Sequence, residues 1–269
     1  MDARPIGVFD SGLGGLTTVK KLTELLPGED IIYLGDTGRV PYGSRSRETI
    51  IKYARQDAAF LTKFDIKAMV IACNTVCSVA LDILKKTYDM PMYEVIYPPV
   101  KAAVTLTKNG KIGVIGTAAT IKSGAYDAAL KEIAPELIVI PASCPLFVPL
   151  VENGRIDADD IAATDIAKDY LAVLRESGVD TLILGCTHYP LLHGVISKVM
   201  GSGVALIDSG GETAKLVATD IQARGMASPG TAGGTVKYFV TDSIDGFSVL
   251  ASRFMEAEVH GAVEQVTLD

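Results

Sequence analysis

Two thiols occupy matching places in this chain. Ala68-Met69-Val70-Ile71-Ala72 runs into Cys73-Asn74-Thr75, and Thr181-Leu182-Ile183-Leu184-Gly185 runs into Cys186-Thr187-His188. Each apolar run reads as a buried strand, and ligands of an open α/β sheet bind outside the carboxyl ends of its strands. A thiolate is both nucleophile and base. Two opposed thiols could form a redox disulfide or hold a metal. They could also act as a pair, one removing a proton from one face of a carbon while the other returns a proton to the opposite face. The neighbours Ser11, Asn74, Thr75, Thr117 and Thr187 favour the last reading, because neutral donors and acceptors suit the carboxylates and ammonium of an amino acid. Backbone N–H groups at helix starts near Gly12, Thr75 and Thr187 add anion-binding capacity. No GxxxxGK[ST] phosphate loop is present.

Other residues invite a structural reading beside the chemical one. Cys77 and Cys144 read as core, as buried cysteines commonly are. Cys73 and Cys77 are four apart, which is not CxxC, and of three histidines only His188 and His193 lie near a cysteine, so no zinc centre is expected. His188 could cap the following helix or tune Cys186. Asp10 could be a turn former before Gly12, but its counterpart in the repeat described below is Gly116, which tilts Asp10 toward function. Glu152, beside Asn153-Gly154, is balanced between the two. Gly12-Leu13-Gly14-Gly15 imitates a dinucleotide fingerprint, with Asp36 near the ribose position, yet Thr17 stands where the third glycine belongs.

Composition narrows the partners. The 269 residues carry a net charge of −7 with no basic stripe, and aromatics are 6% with no Trp, which argues against nucleic acid. No apolar run approaches the ~18 residues of a membrane span, and the N-terminus lacks a signal-peptide layout. A cytoplasmic protein with free thiols is expected.

The elements that must position the thiols follow in order. Ile6–Phe9 reads as a strand, Leu16–Leu26 as a helix, Asp30–Leu34 as a strand, and residues 36–44 as a long loop. Glu48–Phe64 reads as a helix, Lys67–Ala72 as the first thiol strand, Thr75–Lys86 as a helix capped by Asn74 or Thr75, and Tyr93–Ile96 as a strand closed by Tyr97-Pro98-Pro99. The pattern then restarts. Ile112–Thr117 matches Ile6–Ser11, Leu137–Pro141 matches the second strand, and Cys144–Asn153 is a Pro-rich loop. Asp159–Ser177 is a helix, Thr181–Cys186 the second thiol strand, and Ala205–Asp208 the last. The offset is 106 between Ile6 and Ile112 and 113 between Cys73 and Cys186. A tail holds a helix at Thr213–Arg224, a linker at Ala227–Gly234, a strand at Val236–Val240 and a helix at Ser243–Phe254.

The predicted fold is therefore α/β, with two pseudo-symmetric lobes, each a mostly parallel sheet flanked by helices. The lobe carrying Cys73 takes residues 1–97 and 209–269, and the lobe carrying Cys186 takes residues 98–208. The active site is expected in the cleft between them. Closure over a small-molecule substrate is expected, hinged at Tyr97-Pro98-Pro99 and Asp208-Ser209-Gly210.

The stretches Val8–Leu16, Gly35–Gly43, Ala72–Thr75 and Gly185–Leu191 together resemble the glutamate racemases of the aspartate/glutamate racemase family, and the likeness runs from Ile6 to about Gly211. The resemblance implies cofactor-independent interconversion of L- and D-glutamate, with no metal, supplying the D-isomer for peptidoglycan, and it implies a homodimer. Carried over, Cys73 handles the proton on the D side and Cys186 on the L side. Asp10 and His188 assist them, and Glu152 is a weaker candidate for that role. Asp10, Ser11, Pro41, Tyr42, Gly43, Asn74, Thr75, Thr187 and His188 would meet substrate, joined by Thr117 and Thr120. Gly38 stands where the family more often has Ala, and Val76-Cys77 where small residues are usual. The chain begins almost at its first strand, so activation through an N-terminal extension is not expected. Two alternatives stay open: an aspartate racemase, in which Glu tends to stand at the place of His188, and a thiol redox or binding protein without turnover.

Overall fold

Ile6–Asp10, Ile31–Gly35 and Ala68–Ile71 are short, apolar and buried along their whole lengths. Such strands find partners for both faces only inside a parallel sheet covered by helices. The computed structural model describes residues 1–256, 258–259 and 263–268. In chain order the elements are β1 (Ile6–Asp10), α1 (Leu16–Leu25), β2 (Ile31–Gly35), α2 (Arg47–Thr62), β3 (Ala68–Ile71), α3 (Asn74–Thr87), β4 (Met92–Glu94) and α4 (Tyr97–Leu106). The second half holds β5 (Lys111–Gly116), α5 (Ala118–Ser123), α6 (Ala125–Ile133), β6 (Ile138–Ser143), α7 (Phe147–Glu152), α8 (Ile161–Ser177), β7 (Thr181–Gly185), α9 (His193–Met200) and β8 (Ala205–Asp208). The chain closes with α10 (Ser209–Ala223), β9 (Val236–Val240), α11 (Ile244–Met255) and β10 (Val263–Gln265).

Among the described residues two sheets result, ordered β10-β9-β2-β1-β3-β4 and β6-β5-β7-β8, and every pairing is parallel. The run β2-β1-β3-β4 repeats as β6-β5-β7-β8, so the sequence repeat is a topological one. Register brings Gly7 beside Met69 and Gly113 beside Leu182. Alternation along the strands sends Ile6, Val8, Ala68 and Val70 toward α1, α10 and α11. Phe9, Met69 and Ile71 go toward α2 and α3. The two faces thus gain separate cores, and the strand ends border them, with Cys73 at the edge of one and Cys186 at the edge of the other.

Several local expectations need correction. Residues 144–153 are not a Pro-rich loop throughout, because Phe147–Glu152 is a helix with Phe147, Val148, Leu150 and Val151 buried. Tyr97-Pro98-Pro99 does not close a strand but opens α4, where the missing N–H of an early-turn proline costs no helical bond. Helices α5 and α6 and strand β10 were not foreseen, and β9 and β10 together extend the first sheet beyond β2. The last helix begins and ends one residue later than read. The tail's residues 257, 260–262 and 269 lie outside the described residues. Among the described residues no helix is long and apolar enough to cross a membrane.

Candidate active site

The carboxyl ends of β1, β3, β5 and β7 deliver Ser11, Cys73, Thr117 and Cys186 to one cavity. Both sulfur-bearing residues are nearly enclosed, at 5% and 6% exposure. Ser11, Gly12, Pro41, Tyr42, Gly43, Cys73, Asn74, Thr75, Thr117, Cys186, Thr187 and His188 line it, together with Val40 and Val148, two apolar residues that carry no sequence signal for a site. Its free volume is about 30 Å³, far below the roughly 300 Å³ and more of a ligand pocket. Three expected residues are absent from the lining. Asp10 is fully buried, Thr120 is buried behind Thr75 and Thr117, and Glu152 stands on the far side of His188.

Cys73 is the N-cap residue of α3, and neither its side chain nor that of Asn74 or Thr75 caps the helix. The Val76 N–H of the first turn bears on the Cys73 thiol and pulls its pKa down, and the positive end of the helix faces the cavity. Cys73 Sγ donates to Ser11 Oγ at 3.3 Å. Burial, and then the charge of Asp10, push the Cys73 thiol up to about 12.

Asp10 Oδ2 accepts from the Gly12 N–H at 3.1 Å, and Oδ1 has no hydrogen-bond partner among the described residues. A buried carboxylate oxygen without a donor is costly and marks a place where function competes with stability. Burial raises the Asp10 pKa, while His188 and the turn amides pull it down. The turn must be glycine here: a Cβ on Gly15 would lie 2.6 Å from Asp10 Cβ, and one on Gly14 would lie 2.1 Å from Thr187 Oγ1 and 2.6 Å from His188 Nδ1.

On the other side Cys186 Sγ lies 3.9 Å from His188 Nδ1, and His188 Nε2 lies 3.2 Å from Glu152 Oε1. Burial alone would lower the His188 pKa, but Cys186, Glu152 and Asp10 outweigh it and raise it to about 10. The imidazolium is thereby favoured at neutral pH. His188 does not cap the turn that follows it. Its ring packs edge-on against Phe254 of α11.

The two halves are matched in their thiols and unmatched in their helpers. By the 113-residue offset His188 corresponds to Thr75, and Asp10 corresponds by the 106-residue offset to Gly116. Thr75, Thr117 and Thr120 form a hydroxyl triangle with sides of 3.0, 3.1 and 3.4 Å, joining one sheet's helix to the other's. Asn74 Nδ2 donates to Ser209 Oγ at 3.3 Å, and its Oδ1 accepts from the Tyr126 hydroxyl at 2.5 Å. The sequence marks Ser209 only as a hinge residue and Tyr126 not at all, because each meets Asn74 across a long stretch of chain. Cys77 Sγ donates to the Ile71 carbonyl, away from the cavity. Among the described residues no group of His, Cys, Asp or Glu could hold a metal.

Comparison with known proteins gives a consistent result. The family model for Asp/Glu/hydantoin racemases matches residues 6–217. A glutamate racemase of Geobacter metallireducens is 47% identical over 269 residues, covering 100% of this chain and 98% of the relative. Among solved structures, a glutamate racemase of Bacillus anthracis superposes with a TM-score of 0.95 at 39% identity, covering 100% of this chain and 99% of that one. A glutamate racemase of Francisella tularensis, solved with D-glutamate, gives 0.93 at 38% identity over the same shares.

Proposed function

The chain belongs to the Asp/Glu/hydantoin racemase family, and on that premise we propose that it interconverts L- and D-glutamate, with Cys73 and Cys186 as the two bases. The observation that carries this reading is the meeting of two thiols, from corresponding strand ends of two sheets, on one cavity. In the D-to-L direction the Cys73 thiolate takes the α-proton and becomes a thiol. The Cys186 thiol protonates the planar carbanion from the opposite face and is left a thiolate. The reverse direction exchanges the roles, so one proton leaves and one arrives in each turnover.

The surroundings supply what each thiol needs. Burial and Asp10 keep Cys73 a thiol, and the ammonium of an arriving amino acid is the charge that favours its thiolate. Asp10 acts on Cys73 electrostatically and can hold the displaced proton. His188, raised toward its imidazolium form by Cys186, Glu152 and Asp10, stands 3.9 Å from Cys186 Sγ and is the group placed to exchange a proton with it. Ser11, Asn74, Thr75, Thr117 and Thr187, with the Pro41–Gly43 backbone, receive the carboxylates, and Thr120 orients the other two threonines. Preorganised donors in a cavity closed to bulk water bear the carbanion charge, and no cofactor is required.

In this reading the protein works in the cytoplasm, as a homodimer, and its D-glutamate enters peptidoglycan synthesis. The Cys186-Thr187-His188 order favours glutamate over aspartate. Circular dichroism of L-glutamate with the purified protein in deuterated water, no cofactor added, tests the reaction: the signal decays with α-deuterium incorporation. Cys73→Ser and Cys186→Ser each lose racemisation by about a thousandfold or more while keeping the fold. Decay with L-aspartate alone moves the assignment to an aspartate racemase. No decay with either amino acid, or full activity in both variants, removes the two-base reading.

A further inference from the structure

Beneath the loop that walls the cavity lies a buried polar group that no step above uses. Asp36 follows β2, Asp57 sits on α2, and both are fully buried. Between them the Tyr42 hydroxyl makes a short hydrogen bond to Asp36 Oδ2 and lies 3.0 Å from Asp57 Oδ2. Arg39 Nε donates to Asp36 Oδ2 at 2.6 Å, Nη2 to Asp57 Oδ1 at 3.0 Å, and Nη1 to Gln56 at 2.6 Å. Thr241 Oγ1 donates to Asp36 Oδ1 at 2.7 Å.

Counting protons decides the state of this cluster. A tyrosine hydroxyl has one hydrogen and cannot donate to two carboxylates at once. Both oxygens of Asp36 already accept, from Thr241 and from Arg39. Asp57 Oδ1 accepts from Arg39. Asp57 Oδ2 has no partner but Tyr42 among the described residues, so it is the oxygen that can carry a proton. With that proton the cluster is neutral, one guanidinium against one carboxylate, as burial demands.

We propose that Asp57 is a positioning residue for substrate binding: its protonated carboxyl donates to Tyr42 Oη, Tyr42 donates to Asp36, and this chain fixes the Val40–Gly43 wall of the cavity. The inference rests on reading that cavity as the glutamate site. The charged or titratable groups that act on Asp57 are Asp36, Arg39 and Tyr42 from the loop after β2 and Asp10 from the end of β1. Burial, then Asp36, hold the Asp57 pKa well above the usual carboxylate range, against the pull of Arg39 and Tyr42. A carboxyl whose folded pKa is raised contributes its stabilisation in full only below its ordinary pKa of about 4, and the contribution is lost as pH rises from there through the folded value. Ionised Asp57 leaves two carboxylates facing one hydroxyl hydrogen, the wall loosens, and substrate affinity falls on the alkaline side.

Asparagine is the neutral mimic of a protonated aspartate, since its amide still donates to Tyr42 and its carbonyl still accepts from Arg39. Asp57→Asn is expected to keep KM within about twofold at neutral pH and to abolish the alkaline rise in KM. Asp57→Ala is expected to raise KM roughly tenfold with a smaller change in kcat. The infrared difference spectrum of wild type against Asp57→Asn needs no substrate, and it is expected to show a protonated-carboxyl C=O band at pH 7. Absence of that band overturns the inference whatever the protein catalyses. So does an Asp57→Asn variant that is folded but as impaired in KM as Asp57→Ala. A band present in a protein that racemises nothing leaves the protonated Asp57 intact and removes the glutamate reading instead.

Discussion

Glu152 Oε1 and Cys186 Sγ sit on opposite nitrogens of one imidazole, 3.2 Å from His188 Nε2 and 3.9 Å from Nδ1. A carboxylate behind a histidine favours its charged form and fixes its ring. The two thiols consequently differ in what stands behind them. Cys73 has a buried carboxyl, and Cys186 has an imidazolium tied to a half-buried one.

Glu152→Gln tests that relay. Removing the carboxylate takes away one of the influences that raise the His188 pKa, so the imidazolium is lost at lower pH. The alkaline limb of kcat is expected to move toward neutrality, with kcat at neutral pH falling roughly tenfold. Parallel pH profiles of wild type and variant, followed by circular dichroism, check it. Superimposable profiles would show that Glu152 is a surface residue with no part in tuning His188.

Gly14→Ala tests the approach of the two halves. A methyl 2.1 Å from Thr187 Oγ1 forces the Gly-rich turn and the Cys-Thr-His segment apart. Overpacking of this kind costs about 1–3 kcal/mol, a fall in Tm of about 2–10 °C for a chain of this size. Because the clash lies on His188, kcat/KM should fall more than stability alone explains. Calorimetry and steady-state kinetics on the same sample separate the two effects.

The 30 Å³ cavity has room for about one or two waters, not for glutamate. Opening of the two halves to admit substrate is the expected way to make room. Small-angle scattering is expected to give a larger radius of gyration without ligand than with saturating D-glutamate. Equal radii would count against hinging at Tyr97-Pro98-Pro99 and Asp208-Ser209-Gly210.

A stability prediction concerns the opposite end of the first sheet. Lys67 and Glu29 form a buried ion pair, and Lys67 Nζ also donates to the Asp2 and Met226 carbonyls at 2.8 and 2.9 Å. Lys67→Met leaves Glu29 buried without its cation, at a cost of about 3–5 kcal/mol. Thermal or urea unfolding should register that loss, while turnover per folded molecule stays at the wild-type level because the pair lies away from the cavity.

Much of the fold was readable because its strands are buried on both faces. Short apolar runs such as Met69–Ile71 and Leu182–Leu184, each ending in a small residue and a cysteine, fit buried strands, and their recurrence exposed the repeat. What went unread had weak local signals. Phe147–Glu152 contains Pro149 and is only 6 residues long, under two turns, so periodicity could not mark it. Val263–Gln265 becomes a strand only because β9 offers it an edge. Tyr97–Leu106 opens on two prolines, which look like a stop to a reader of sequence and act as a start in three dimensions.

For the site, sequence determined the chemistry on offer: two cysteines at matching strand ends, hydroxyls and amides beside them, and an aspartate without a twin. These are local facts, fixed by neighbours along the chain. Only the tertiary structure decided which groups share a proton. Glu152 reaches His188 across 36 positions, and Tyr126 reaches Asn74 across 52. Asp57 looked like any polar residue on a helix until α2 packed it against Tyr42. Protonation depends on burial and on the charges within a few ångströms, and neither exists until the chain has folded.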